Sequence, residues 1–247
     1  MTRRQYRNAP IEEALCEFHF GDGKEWDLAT PSKLQEAFRG TYSAPPRFQQ
    51  AIAANVMQPQ QAAPGIALMR GIVKTQFFDE SGTKLVAVAP GVLSVHILRP
   101  YCGWEAFRPR IANALENFVR VTGSSQLVRI GIRYINKITL AASGGSVDLT
   151  TLFRCVPADV PGLPEQLLSF MHRTEHEYDR DTRLVMTLAS IPDPGNEILL
   201  DLDVIREPEE AEPAAGAMAI VDALRDRERE AFEAVITDEL RSHFDAP

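Results

Sequence analysis

The order of patterned segments predicts an α+β fold, an internal duplication of a β-α-β-β-β-α unit whose antiparallel sheets are backed by two long helices. Three observations carry that expectation. Segments in which apolar and polar residues alternate open both halves of the chain, at 10–20 and 126–140. Further extended runs follow in each half, joined by short turn sequences. Each half then closes on a long segment with apolar residues at helical spacing. The units so implied are 1–123 and 124–247.

In PIEEALCEFHF (10–20), Cys16, Phe18 and Phe20 fall on one side and Leu15, Glu17 and His19 on the other, as in a half-buried strand. A helix is expected next, capped by Asp27 or Thr30, with Pro31 in its first turn and Leu34 and Phe38 four apart on one face. Ser43-Ala-Pro-Pro stops it, because proline lacks the amide and pushes its predecessor toward extended geometry. Three strands are read at 47–57, 66–78 and 84–98, the last bent at Pro90-Gly91. From Trp104 to Val121, Trp104, Phe107, Ile111, Leu115 and Phe118 mark a helix that Gly123 ends.

The second half repeats the order. QLVRIGIRYINKITL (126–140) is read as a strand, and a short helical piece follows near 148–154. Strands come next at 165–177, 182–191 and 197–206, the last two joined through Pro192-Asp-Pro-Gly-Asn196. EPEEAEPAAG (207–216) reads as an exposed linker, and 215–243 as one amphipathic helix using Ile220, Leu224, Phe232, Val235, Ile236 and Leu240. The halves share little residue identity, so the duplication rests on element order. Covering one side of each sheet with helices leaves the other side as the natural binding surface.

With 247 residues, 45% of them hydrophobic and 24% charged, the chain has the makings of a core and is neither a disordered tail nor a miniature disulfide scaffold. No stretch approaches the roughly 20 apolar residues that span a bilayer, and MTRRQYRNAPIEEAL lacks the apolar run of a leader. Cys16, Cys102 and Cys155 are odd in number and form no CxxC pair. The expectation is a cytoplasmic protein with neither a disulfide framework nor a zinc cage. A net charge of −8 argues against a nucleic-acid partner, which needs cations to displace phosphate counterions. Residues 1–123 hold 14 Lys/Arg and 11 Asp/Glu, and the remainder 12 and 23, so the acidity lies in the second half. That asymmetry fits a solubilising surface first and the steering of a basic partner second.

Strand geometry decides between candidate sites. His172, Glu175, His176 and Glu177 cluster in MHRTEHEYD, and on a helix the two histidines would share a face as zinc ligands do. On a strand, at about 3.3 Å per residue, they stand about 13 Å apart, so no metal is expected. The better candidate is a basic ridge on 126–140, where Arg129, Arg133 and Lys137 point to one face and Val128, Ile130, Ile132, Tyr134 and Ile138 to the other. Arg133 is suited to clamp a carboxylate or phosphate, with Tyr134 and Asn136 adding polar groups nearby. The competing structural role is cross-strand pairing with Glu175, Glu177, Asp201 or Asp203. Glu13 and Glu17, too far apart on a strand for paired acid/base work, are expected to meet this ridge and so bring the first strands of the two halves together. Tyr101 and Trp104 read as packing anchors at a helix start ahead of rings that stack on a ligand, and the arginines of MTRRQYRN as a solvated terminus ahead of a grip on an acidic partner or RNA. GxSxG, Walker, GxGxxG and HExxH patterns do not occur, so no catalytic residue or cofactor is assigned.

Pro10, Ile11, Glu13 and Ala14, then Tyr101, Gly103 and Trp104, then Arg133, Tyr134 and Asn136 form three short motifs. In these the chain resembles a sporadically distributed bacterial family of similar length, marked by a Pro-Ile-x-Glu-Ala start, a Tyr-x-Gly-Trp step and an Arg-Tyr-x-Asn strand. The resemblance would extend over nearly the whole chain. It implies no particular reaction or cofactor, only an accessory role such as toxin control or phage defence. At the level of fold alone, the strand-and-helix unit resembles bacterial export chaperones and helix-grip ligand-binding folds. The function expected from sequence is a non-enzymatic binding protein for a protein or peptide partner. Two alternatives stand beside it: a helix-grip pocket for a small acidic or lipid-like ligand anchored by Arg133, and a hydrolase or nuclease whose site assembles only in space.

Overall fold

The computed structural model describes residues 4–50, 73–140, 148–156, 168–191 and 197–246. The predicted strand portions at 51–57, 66–72 and 165–167, and the turn Pro192–Asn196, lie outside them. The chain is a mixed α+β protein with one ten-stranded antiparallel sheet and four helices. In order, these are β1 (Ile11–Phe20), α1 (Thr30–Phe38), β2 (Arg47–Gln50), β3 (Val73–Phe78), β4 (Lys84–Ala89), β5 (Val92–Leu98) and α2 (Trp104–Thr122). The second half holds β6 (Gln126–Thr139), β7 (Met171–Asp179), β8 (Thr182–Ile191), β9 (Glu197–Arg206), β10 (Glu212–Pro213), α3 (Ala217–Val235) and α4 (Asp238–Asp245). Single 3-10 turns occupy Leu149–Thr151 and Ala214–Gly216.

Strands run β2-β3-β4-β5-β1-β6-β9-β8-β7 across the sheet, with β10 beside one end of β6. The two halves therefore meet edge to edge, β1 against β6, in the register Cys16↔Ile132 and Phe18↔Ile130. Alternation in β1 sends Ala14, Cys16, Phe18 and Phe20 to the core, and in β6 it sends Ile130, Ile132, Tyr134 and Ile138 there. All four helices contribute to that same core, through Leu34 and Phe38, Phe107, Ile111 and Phe118, Val221, Leu224 and Phe232, and Leu240 and Phe244. One side of the sheet is thus buried under helices. Among the described residues the opposite side carries no helix.

Four features differ from the sequence reading. The segment 84–98 is two paired strands, because Pro90-Gly91 closes a tight hairpin with Gly91 at φ 65°, and the first half accordingly holds five strands. The final amphipathic stretch breaks at Ile236, which is extended and bridges to Phe153, and Thr237 caps α4 by accepting from the Leu240 amide. The linker 207–216 is pinned: Glu212 lies opposite Leu127 in β10 and forms an ion pair with Arg206. Val128 was placed on the core side but is 39% exposed, near the end of β6.

Candidate functional site

The helix-free side of the sheet holds the densest polar constellation, and the pleat builds it. On β1 it receives Glu13, Leu15, Glu17 and His19, on β6 Arg129, Gly131, Arg133, Ile135 and Lys137, and on β9 Glu197, Leu199, Asp201 and Asp203. Ser94 and His96 come from β5, Lys74 from β3, and Arg183, Val185 and Thr187 from β8.

Arg133 lies directly opposite Asp203 but reaches diagonally to Asp201, donating from Nε at 2.8 Å and from Nη2 at 2.6 Å. Arg129 donates to Glu17 at 3.0 Å and stands 3.4 Å from Glu207 and 3.9 Å from Asp203. Lys74 reaches Glu17 at 2.7 Å, Lys137 reaches Glu197 at 3.0 Å, and Arg183 reaches Glu207 at 2.6 Å. His96 Nδ1 bonds Glu13 at 2.6 Å, and its buried Nε2 has no hydrogen-bond partner. Gly131 sits at the centre of this mosaic. A Cβ there would meet the Asp203 carboxylate at 3.5 Å and the Arg129 guanidinium at 3.8 Å, both ordinary van der Waals contacts.

The electrostatics follow from partial burial. For Glu17, burial favours the neutral acid, but hydrogen bonds from His19 and Lys74 outweigh it and hold the carboxyl well below the usual range. Glu13 is also lowered, its bond with His96 overcoming the same burial. Asp203 goes the other way. Burial pushes it up to about 6 against the pull of Arg129 and Arg133, because neither guanidinium makes a close bond with it.

The predicted site residues are divided between two sides of the sheet. Arg129, Arg133 and Lys137 share the open face as expected, and each is paired with a cross-strand acid. Tyr134 and Asn136 are on the helix side, both 1% exposed, so they do not add polar groups beside Arg133. Strand parity is the reason: from Ile130 onward the even-numbered residues of β6 face the core, where the Asn136 carboxamide donates to the Leu200 carbonyl at 3.1 Å. Glu17 meets the ridge as expected, whereas Glu13 turns to His96. His172 and His176 stand on β7, a strand, and no group of three or more His, Cys, Asp or Glu able to hold a metal occurs among the described residues. No helix is long and apolar enough to cross a membrane.

Sequence reasoning passed over a second polar cluster, inside the core. The Tyr101 and Tyr134 hydroxyls hydrogen-bond at 2.8 Å, and Arg225 of α3 lies over the Tyr134 ring at 4.4 Å and the Trp104 ring at 5.9 Å. Arg225 pairs with Glu228, which is 3% exposed. The available signal was spacing: Glu228 falls four residues after Leu224 and four before Phe232, on the apolar stripe.

Two recesses of about 380 and 400 Å³ lie elsewhere, one lined by Arg180, Pro208 and Glu212 and the other by Leu115, Val119 and Pro213; neither includes Arg133. No protein-family model, no curated protein and no solved structure matches the chain.

Proposed function

We propose that the chain is a duplicated α+β binding protein that recognises a protein or peptide partner on the helix-free face of its sheet. The duplication is supported by strand order. In β3-β4-β5-β1 and β6-β9-β8-β7, the first strand of each half lies innermost and a later strand of the same half, β5 or β9, returns beside it. Each half then sends a 19-residue helix, α2 or α3, back across its own strands. Residues 1–123 and 124–247 are the units on this reading.

One observation carries the binding role. The face is a mosaic of half-exposed charges of both signs, Arg133, Lys137, Arg183, Glu175 and Glu207, separated by Leu15, Ile135, Val185 and Leu199. Aliphatic patches between matched charges suit a macromolecular surface, where charge complementarity sets specificity and encounter rate. A small acidic ligand at Arg133 is the weaker reading, because the Nε and Nη2 groups that would clamp it bidentately are engaged by Asp201. A hydrolytic site is weaker again, since His172 and His176 project from the opposite side of the sheet to the carboxylates of the open face. The accessory role implied by the three motifs is compatible with a dedicated partner of this kind.

Site-specific photo-crosslinking in the native host tests the reading. A crosslinker at Thr187, on the open face, is expected to capture one protein that the same group at Asn113, on the exposed side of α2, does not capture. Lys137→Glu combined with Arg183→Glu should abolish the adduct. Equal labelling from both positions, or none from Thr187, contradicts the proposal.

A further inference from the structure

The sheet ends at β7, whose only strand neighbour among the described residues is β8. Phe170 accepts from the Ser190 amide at 3.1 Å, so alternation along the strand turns the backbone amides and carbonyls of Met171, Arg173, Glu175 and Glu177 toward the free edge. Such an edge is a template for another strand. Most of β7 is exposed, Met171 to 76%.

We propose that two copies of the chain pair antiparallel through β7 about a two-fold axis at Thr174, giving one sheet continuous across both. The inference rests on charge complementarity along the strand. In an isologous antiparallel pair, residues equidistant from the axis face each other on the same side of the sheet. With Thr174 on the axis, Arg173 lies opposite Glu175 of the second copy, and the reciprocal pair forms by symmetry. On the helix side Thr174 meets its own counterpart, His172 faces His176, and Phe170 faces Tyr178. Moving the axis to Arg173 sets two arginines against each other, and moving it to Glu175 sets two glutamates together. The edge charges therefore favour the register at Thr174 over both neighbouring ones, the device by which sheet edges admit one partner and repel others. In the single chain Arg173 pairs with Glu175 at 2.7 Å, with both side chains about half exposed, so exchanging that contact for the same contact across the axis requires little desolvation. This assembly does not depend on what binds the open face. It places two such faces on the same side of one extended sheet.

Sedimentation equilibrium of the full chain over a concentration series tests the assignment. A dimer is expected, and Arg173→Glu, which sets acid against acid twice, should raise its dissociation constant about tenfold or more. Glu175→Arg should do the same by setting two cations together. Arg173→Glu combined with Glu175→Arg re-forms both pairs with signs exchanged and should restore association. A chain that stays monomeric at every concentration overturns the proposal. So does a dimer indifferent to Arg173→Glu, or a double variant no better associated than the single ones.

Discussion

Arg225→Met is expected to destabilise the protein by about 3–5 kcal/mol at pH 8, the cost of leaving one member of a buried ion pair without its counter-charge. The side chain removed lies over Tyr134 and Trp104 and pairs with Glu228, a carboxylate at 3% exposure on the apolar stripe of α3. Burial pushes Glu228 from its ordinary 4.5 up to about 7, against the attraction of Arg225 and Arg229. A carboxyl raised in the folded state contributes stability that is fully present below about 4.5 and lost as pH rises through about 7. For the unmodified chain that loss amounts to about 3 kcal/mol between pH 4 and pH 8. It follows that Arg225→Met should cost distinctly less at pH 5, where Glu228 is protonated and needs no cation. Adding Glu228→Leu should recover most of the loss at pH 8, because a well-packed apolar pair replaces the ionic one. Glu228→Gln alone should flatten the pH dependence. Urea unfolding at the two pH values checks all of this, and a cost below about 1 kcal/mol at both would contradict it.

Phe18→Ala should remove about 3–5 kcal/mol, whereas Leu15→Ala, three residues earlier on the same strand, should cost about 1 kcal/mol or less. Phe18 is fully buried in the core beneath the helices, and its loss leaves a cavity that rigid neighbours fill only in part. Leu15 points to the open face, between His96 of β5 and Arg133 of β6, and remains partly exposed. The contrast isolates which side of β1 is core. Equal costs would mean that the helix-free face is packed as tightly as the other and is not a recognition surface.

Strand parity was the legible part of this chain. Alternation in 10–20 and 126–140 assigns Cys16, Phe18, Ile132 and Tyr134 to the buried side and Glu17, Arg129, Arg133 and Lys137 to the open one, which is where they lie in the fold. The pairing of the basic ridge with Asp201 and Asp203 was also open to sequence, since opposite charges on adjacent strands meet wherever registers align. The hairpin at Pro90-Gly91 was not, because Leu85–Ala89 is apolar throughout and buried on both faces, giving no alternation to reveal where one strand ends. Val235, Ile236 and Leu240 kept helical spacing across the break before α4. The stop came from tertiary pairing of Ile236 with Phe153, although the Thr237-Asp238-Glu239 capping sequence did mark the restart. Asn136 was grouped with Arg133 for its polarity, when its odd spacing of three residues already placed it on the other side of the strand. Glu228 lies on the apolar stripe, four residues after Leu224 and four before Phe232, and that spacing alone marks it as a buried charge.

The fold and the site both depend on the two halves sharing one sheet through β1 and β6, with the helices on one side and a smaller buried cluster of Phe78, Leu85 and Ala87 on the other. Cross-strand proton contacts in the NMR spectrum of the full chain measure that junction directly. The account predicts contacts between Ala14 and Tyr134, Cys16 and Ile132, and Phe18 and Ile130. Absence of contacts between these strands, or a register displaced by one residue so that Glu17 pairs with Ile132, would contradict it, because a one-residue slip carries Glu13, Glu17 and His19 of β1 into the core.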